Sequence, residues 1–124
     1  MAIEILIDTV ILVDHLNGLT VATDFLRKNW GRGAVSVLSR TEILAGYGLE
    51  EQKEVVRLLD RFIPLGIDRE VADLACRLRL RHRWRIPDAF QAAIAQHHKL
   101  KFATRNTRDF PPESHGFVLV PYTL

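Results

Sequence analysis

Strands alternating with helices along 124 residues predict an α/β sandwich on a largely parallel sheet. Three observations carry this expectation. Short apolar or β-branched runs recur at Ile3–Ile7, Ala34–Leu38, Ile63–Leu65, Lys101–Ala103 and Gly116–Val120. Segments with helical spacing of apolar residues fall between them. Cap and turn residues stand where one period gives way to the other.

The first strand is followed by a helix over Thr9–Leu16, which Asn17-Gly18 stops. Thr20 is placed to cap a second helix with Val21, Ala22, Phe25 and Leu26 on its apolar face. Gly31 to Gly33 break the chain before the second strand. Ser39 is expected to cap a helix carrying Ile43, Leu44 and Tyr47. Leu49–Arg61 has the spacing of a further helix, with Val55, Leu58, Leu59 and Phe62 inward. Asp68 suits the N-cap of a long helix burying Val71, Leu74, Ala75 and Leu78. Pro87 fits the first turn of the next, whose inner face would be Phe90, Ala93, Ile94 and His97.

A chain of this length suits one domain, residues 1–124, and 48% hydrophobic residues suffice for a packed core. No apolar run approaches the roughly 20 residues needed to cross a bilayer. The N-terminus lacks the pattern of a signal peptide. Cys76, the only cysteine, cannot form an intrachain disulfide and reads as a small core residue. These points predict a cytoplasmic protein with no membrane partner.

Net charge is +2 and the pI about 9.0, too mild to identify a nucleic-acid binder. The distribution says more. Arg77, Arg79, Arg81, Arg83 and Arg85 crowd into nine positions. They are either the solvated face of a core-packed helix or a rim for phosphate or an acidic partner. His15, His82 and His115 lack zinc-site spacing. Trp30 and Trp84 are expected to pack in the core.

Four carboxylates stand where strands end or helices begin: Asp8, Glu42, Asp88 and Asp109. Each has a local explanation. Asp8 can cap its helix. Ser39-Arg-Thr-Glu42 matches a capping box, which would occupy the glutamate. Asp88 lies in a first turn, where the helix dipole favours an anion by 0.3–1 kcal/mol. Asp109 can close an Asx turn. Asp14 and Asp73 are assigned to exposed helix faces and left outside the site.

If the four acids converge, their repulsion must be relieved. Two like charges about 4 Å apart cost roughly 4 kcal/mol at an effective dielectric near 20. Several such pairs would consume much of the 5–15 kcal/mol that holds a small domain folded. A hard cation such as Mg²⁺ takes one or two carboxylates and fills its remaining positions with water and phosphate. The acids therefore suffice for one metal and a water-orienting partner, or for two metals.

The order and surroundings of these acids resemble the four acidic motifs of PIN-domain ribonucleases. Asp8-Thr9, Glu42 after a Ser-x-x spacer, Ile86-Pro87-Asp88-Ala89 and Thr104-x-Asn106-x-x-Asp109-Phe110 carry the resemblance, which spans essentially the whole chain. Length and spacing are most similar to VapC-type toxins of toxin–antitoxin pairs. The resemblance implies a three-layer α/β/α sandwich with a short, mainly parallel sheet. It implies Mg²⁺-dependent endoribonuclease activity, with Mn²⁺ as a substitute. Asp8, Glu42, Asp88 and Asp109 would be catalytic, Asp8 and Asp88 binding the metal. Thr104 and Asn106 would support them. The partners implied are RNA, a cognate antitoxin and a second copy of the chain. Arg105, in the last motif loop, is placed to meet substrate phosphate. Relatives commonly carry Asn or Ser two residues after the first Asp, where this chain has Val10.

Other classes fit less well. A phospho-receiver domain needs an acidic pair after the first strand, yet Asp8 stands alone there. A catalytically silent PIN-fold module would not need all four acids. A PIN nuclease in RNA processing, without a toxin role, differs by lacking an antitoxin gene beside it.

Overall fold

A computed structural model describes residues 2–124. The elements run β1 (Ile5–Ile7), α1 (Thr9–Leu16), α2 (Thr20–Lys28), β2 (Gly33–Ser36), α3 (Val37–Leu44), α4 (Leu49–Leu59), β3 (Ile63–Leu65), α5 (Arg69–His82), α6 (Ile86–His97), β4 (Lys101–Ala103) and β5 (Val118–Leu119). The five strands are parallel, in the order β3-β2-β1-β4-β5. This is the expected three-layer α/β/α sandwich.

The period-two geometry of a strand divides the apolar residues between two cores. Leu6, Ala34 and Phe102 pack with Val71, Ala75 and Leu78 of α5 and Ala92, Ala93 and Ile94 of α6. Ile5, Ile7, Val35 and Ala103 face the opposite layer, with Ile11 and Leu12 of α1, Leu26 of α2 and Leu59 of α4. Strands buried on both faces need short continuous apolar runs, which is what the sequence supplies. Gly33 opens β2 where space is short: an added Cβ would lie 3.0 Å from Asn29 O, Ile7 Cδ1 and Phe62 Cδ1.

Several boundaries differ from expectation for local reasons. β2 ends at Ser36, whose hydroxyl accepts from Ser39 N at 3.0 Å and caps α3. Ser39 is therefore inside the helix and buried, and no Ser39–Glu42 capping box forms. Leu19, not Thr20, holds the cap position of α2, with no side-chain cap bond. α4 stops at Leu59, short of Arg61. β5 keeps two of its five expected residues. His97 is exposed, two residues past the last buried position of α6, Ala95. Cys76 is also exposed, on the outer side of α5. Among the described residues no helix is long and apolar enough to cross a membrane.

Candidate active site

The chain leaves β1 to one side through β2 and β3, then returns to the other side of β1 through β4. The switch point lies between β1 and β4, beyond whose carboxyl ends parallel sheets place their ligands. Asp8 follows β1 and Thr104 follows β4. They meet there: Thr104 Oγ1 donates to Asp8 Oδ2 at 2.7 Å, and Asp8 N to Ala103 O at 2.9 Å. The other carboxylate oxygen of Asp8 accepts from Thr9 N at 2.8 Å, capping α1. The capping and site roles of Asp8 thus coexist on two oxygens.

A cavity of about 610 Å³ opens at this point, and Asp8, Glu42, Asp88, Gln91, Arg105 and Asn106 are among its walls. Val10 also lines it and presents an apolar side chain there. Burial is the main cause that pushes Asp8 from its ordinary 3.8 up to about 6. The charges of Asp88 and Glu42 add to it, while the bonds from Thr104 and Thr9 oppose it. Asp88 is also raised, first by burial, then by Asp109 and Glu42, against the pull of Arg85. Three acids of one cavity therefore interact electrostatically.

Asp109 stands apart. It is exposed, and it lines an adjoining cavity that also includes Asp88. Asn106 Nδ2 donates to its Oδ2 at 2.9 Å and turns the loop back on itself. Among the described residues no three His, Cys, Asp or Glu side chains gather closely enough to enclose a metal. The donors that do face one another are hard carboxylate oxygens around open space. That suits a cation which keeps several waters and completes its sphere with phosphate. Asp8 and Asp88 both line that space and could supply such oxygens.

Glu42 is positioned by a contact that its local sequence does not signal. Thr9 Oγ1 lies 2.7 Å from Ser39 Oγ and 3.0 Å from Glu42 Oε1. Gln91 Nε2 donates to Ser39 Oγ at 2.7 Å. Each hydroxyl has one proton. If Ser39 points its proton at Thr9, Thr9 is left to donate to the carboxylate, and the chain runs Gln91, Ser39, Thr9, Glu42. Gln91 sits three residues after Asp88, a polar side chain in an otherwise apolar helical stretch. That spacing places it on the face of Asp88.

Asp14 corrects one expectation. Asp14 is buried, not on an exposed helix face. Arg105 Nε and Nη2 donate to its two oxygens at 2.6 and 2.9 Å, and Tyr122 Oη donates to Oδ2 at 2.7 Å. The Arg105 guanidinium holds Asp14 below the usual carboxylate range. Arg105 also lines the cavity while it is paired with Asp14. Asp73 is exposed, as expected.

The chain is similar in sequence and fold to known proteins. Residues 5–111 match the family model of the PIN domain. Ribonuclease VapC10 of Mycobacterium tuberculosis is 37% identical over 115 residues, covering 86% of each chain. A toxin–antitoxin complex from Klebsiella pneumoniae contains a chain of the same fold, with TM-score 0.88 and 31% identity over 98% of this chain and 100% of that one. FitAcB from Neisseria gonorrhoeae has TM-score 0.79 over 98% of this chain and 100% of that one; at 23% identity it speaks to the fold alone. With motif order, sheet topology and sequence in agreement, the chain belongs to the PIN-domain family, among its VapC-type members.

Proposed function

We propose that this protein is a Mg²⁺-dependent endoribonuclease and the toxin of a toxin–antitoxin pair, with Mn²⁺ able to substitute. The observation that carries the reading is the convergence of Asp8, Asp88 and Glu42 on one open cavity at the switch point. Similarity to a ribonuclease and to a chain of a toxin–antitoxin complex supports the biological role. The partners are RNA, an antitoxin protein and a second copy of the chain, and the site of action is the cytoplasm.

Asp8 and Asp88 would hold the metal, with Asp109 contributing from the adjoining cavity. A bound divalent ion supplies neutralisation of phosphate charge and a lowered pKa for its water. Thr104 keeps Asp8 aimed into the cavity. Glu42, held by Thr9, orients the attacking water and takes its proton. The new bond joins water oxygen to phosphorus, and the bond from phosphorus to the 3′-oxygen breaks. The 3′-oxygen takes a proton from solvent, leaving a 5′-phosphate and a 3′-hydroxyl.

Cleavage of a fluorogenic RNA should require Mg²⁺ or Mn²⁺ and stop with EDTA. Asp8→Asn and Asp88→Asn should lose all measurable turnover, and Glu42→Gln about 10²–10⁴-fold. Full, EDTA-sensitive cleavage by Asp8→Asn would sink the mechanism. Growth arrest relieved by the product of an adjacent small gene separates a toxin from an RNA-processing nuclease.

A further inference from the structure

We propose that Arg83, Arg85 and Arg108 form a phosphate-binding cleft that carries the backbone of single-stranded RNA past the Asp109 side of the acidic cavity. This deepens the ribonuclease reading and rests on it. A second cavity of about 280 Å³ is lined by Arg83, Trp84, Arg85, Asp88, Arg108 and Asp109. It shares Asp88 and Arg108 with the acidic cavity, so the two adjoin across these side chains. Among the described residues none of its three arginines makes a salt bridge, whereas Arg105 is paired with Asp14.

The cations are held in place by the backbone they stand on. Arg83 ends α5 in the left-handed region, at φ 60° and ψ 27°. Arg79 Nη1 donates to Trp84 O at 2.6 Å, and Trp84 Nε1 donates to Asp109 O at 2.8 Å. The buried indole thereby ties the Arg83–Arg85 segment to the loop that carries Arg108 and Asp109. Non-glycine residues in that conformation cost free energy and persist where the surroundings enforce them. Trp84 is packed against His82 and Phe110 and offers no free face for a base. The cleft therefore reads phosphate and not sequence.

The five-arginine run is thus divided by the fold. Arg83 and Arg85 face the site, while Arg77 and Arg81 line neither cavity and are exposed on α5. The test is fluorescence anisotropy of the full chain with a short labelled single-stranded RNA, in EDTA, across a KCl series. The triple variant R83Q/R85Q/R108Q should lower the slope of log affinity against log salt by about 2, at roughly 0.7 per lost phosphate contact. Arg77→Gln with Arg81→Gln should leave it unchanged.

The corresponding triple lysine variant should keep the slope, which guards against a folding defect in the glutamine variant. An unchanged slope in the glutamine triple, or an equal loss from Arg77 and Arg81, overturns the proposal. So does loss of slope in the lysine triple. Unchanged RNA binding together with weakened binding of a polyglutamate probe overturns it in favour of an acidic protein partner. Failure of the wild type to cleave RNA with Mg²⁺ would refute the ribonuclease reading separately, because the slope is measured without turnover.

Discussion

At the residue scale Asp8 is under opposing demands. Its place beyond β1 buries it, and burial is the first reason its carboxyl rises to about 6. A carboxyl raised in the fold binds a proton more readily folded than unfolded. Its effect on stability is neutral below the unfolded value of 3.8, grows unfavourable as pH rises, and is complete above about 6. The cost at pH 7 without metal is about 3 kcal/mol. Asp8→Asn removes it. In EDTA the variant should therefore melt at about the wild-type temperature near pH 4 and higher than wild type at pH 7. Added Mg²⁺ should close the gap by stabilising only the wild type. A wild-type-to-variant difference that does not change with pH would refute this. The places of Asp8 after β1 and of Asp88 in the first turn of α6 were legible because a strand end and a proline mark them. The Asp14–Arg105 pair was not, because its members are 91 positions apart and helix periodicity alone put Asp14 outside.

At the scale of elements, three polar contacts link α1, α3 and α6 beside the active-site cavity. Gln91 on α6 reaches Ser39 on α3, which meets Thr9 on α1, which meets Glu42 again on α3. Gln91 Oε1 is buried without a partner. A buried orphan acceptor costs roughly 1–3 kcal/mol, so Gln91 is not there for stability alone. Thr9→Val and Gln91→Leu should each lower kcat about tenfold, a misplacement effect, with KM little changed. Gln91→Leu should do so without loss of melting temperature. Thr9→Ser should restore turnover, and neither change should matter in a Glu42→Gln background. A kcat for Thr9→Val equal to wild type would discard the chain of contacts. Helices and central strands were readable from period and caps. The register of α3 was not: Ser36 and Ser39 both offer a cap, and only the end of β2 decides between them.

At the scale of the whole molecule, the parallel sheet leaves the C-terminal segment to be tied down by side chains. Tyr122 reaches back 108 positions to Asp14, which also holds Arg105 beside the active-site loop. One buried carboxylate thus joins α1, the loop after β4 and the chain's last residues. The Tyr122 hydroxyl is pushed up, first by burial and then by its bond to Asp14, so it remains a donor. Removing one member of a buried ion pair typically costs 3–5 kcal/mol, but Arg105 keeps about a third of its side chain in water. Asp14→Ala should therefore lower urea stability by about 2–3 kcal/mol. Asp14 has a depressed folded pKa, so its contribution is present above about 3.8 and fades as pH falls through the lower folded value. The wild-type advantage over Asp14→Ala should accordingly be constant from neutral pH down to about 4 and shrink below that. Tyr122→Phe should cost less, about 1 kcal/mol, and should cost little once Asp14 is gone. A loss from Asp14→Ala no larger than that of an ordinary surface substitution, within about 0.5 kcal/mol, would show that the chain ends are held by apolar packing instead.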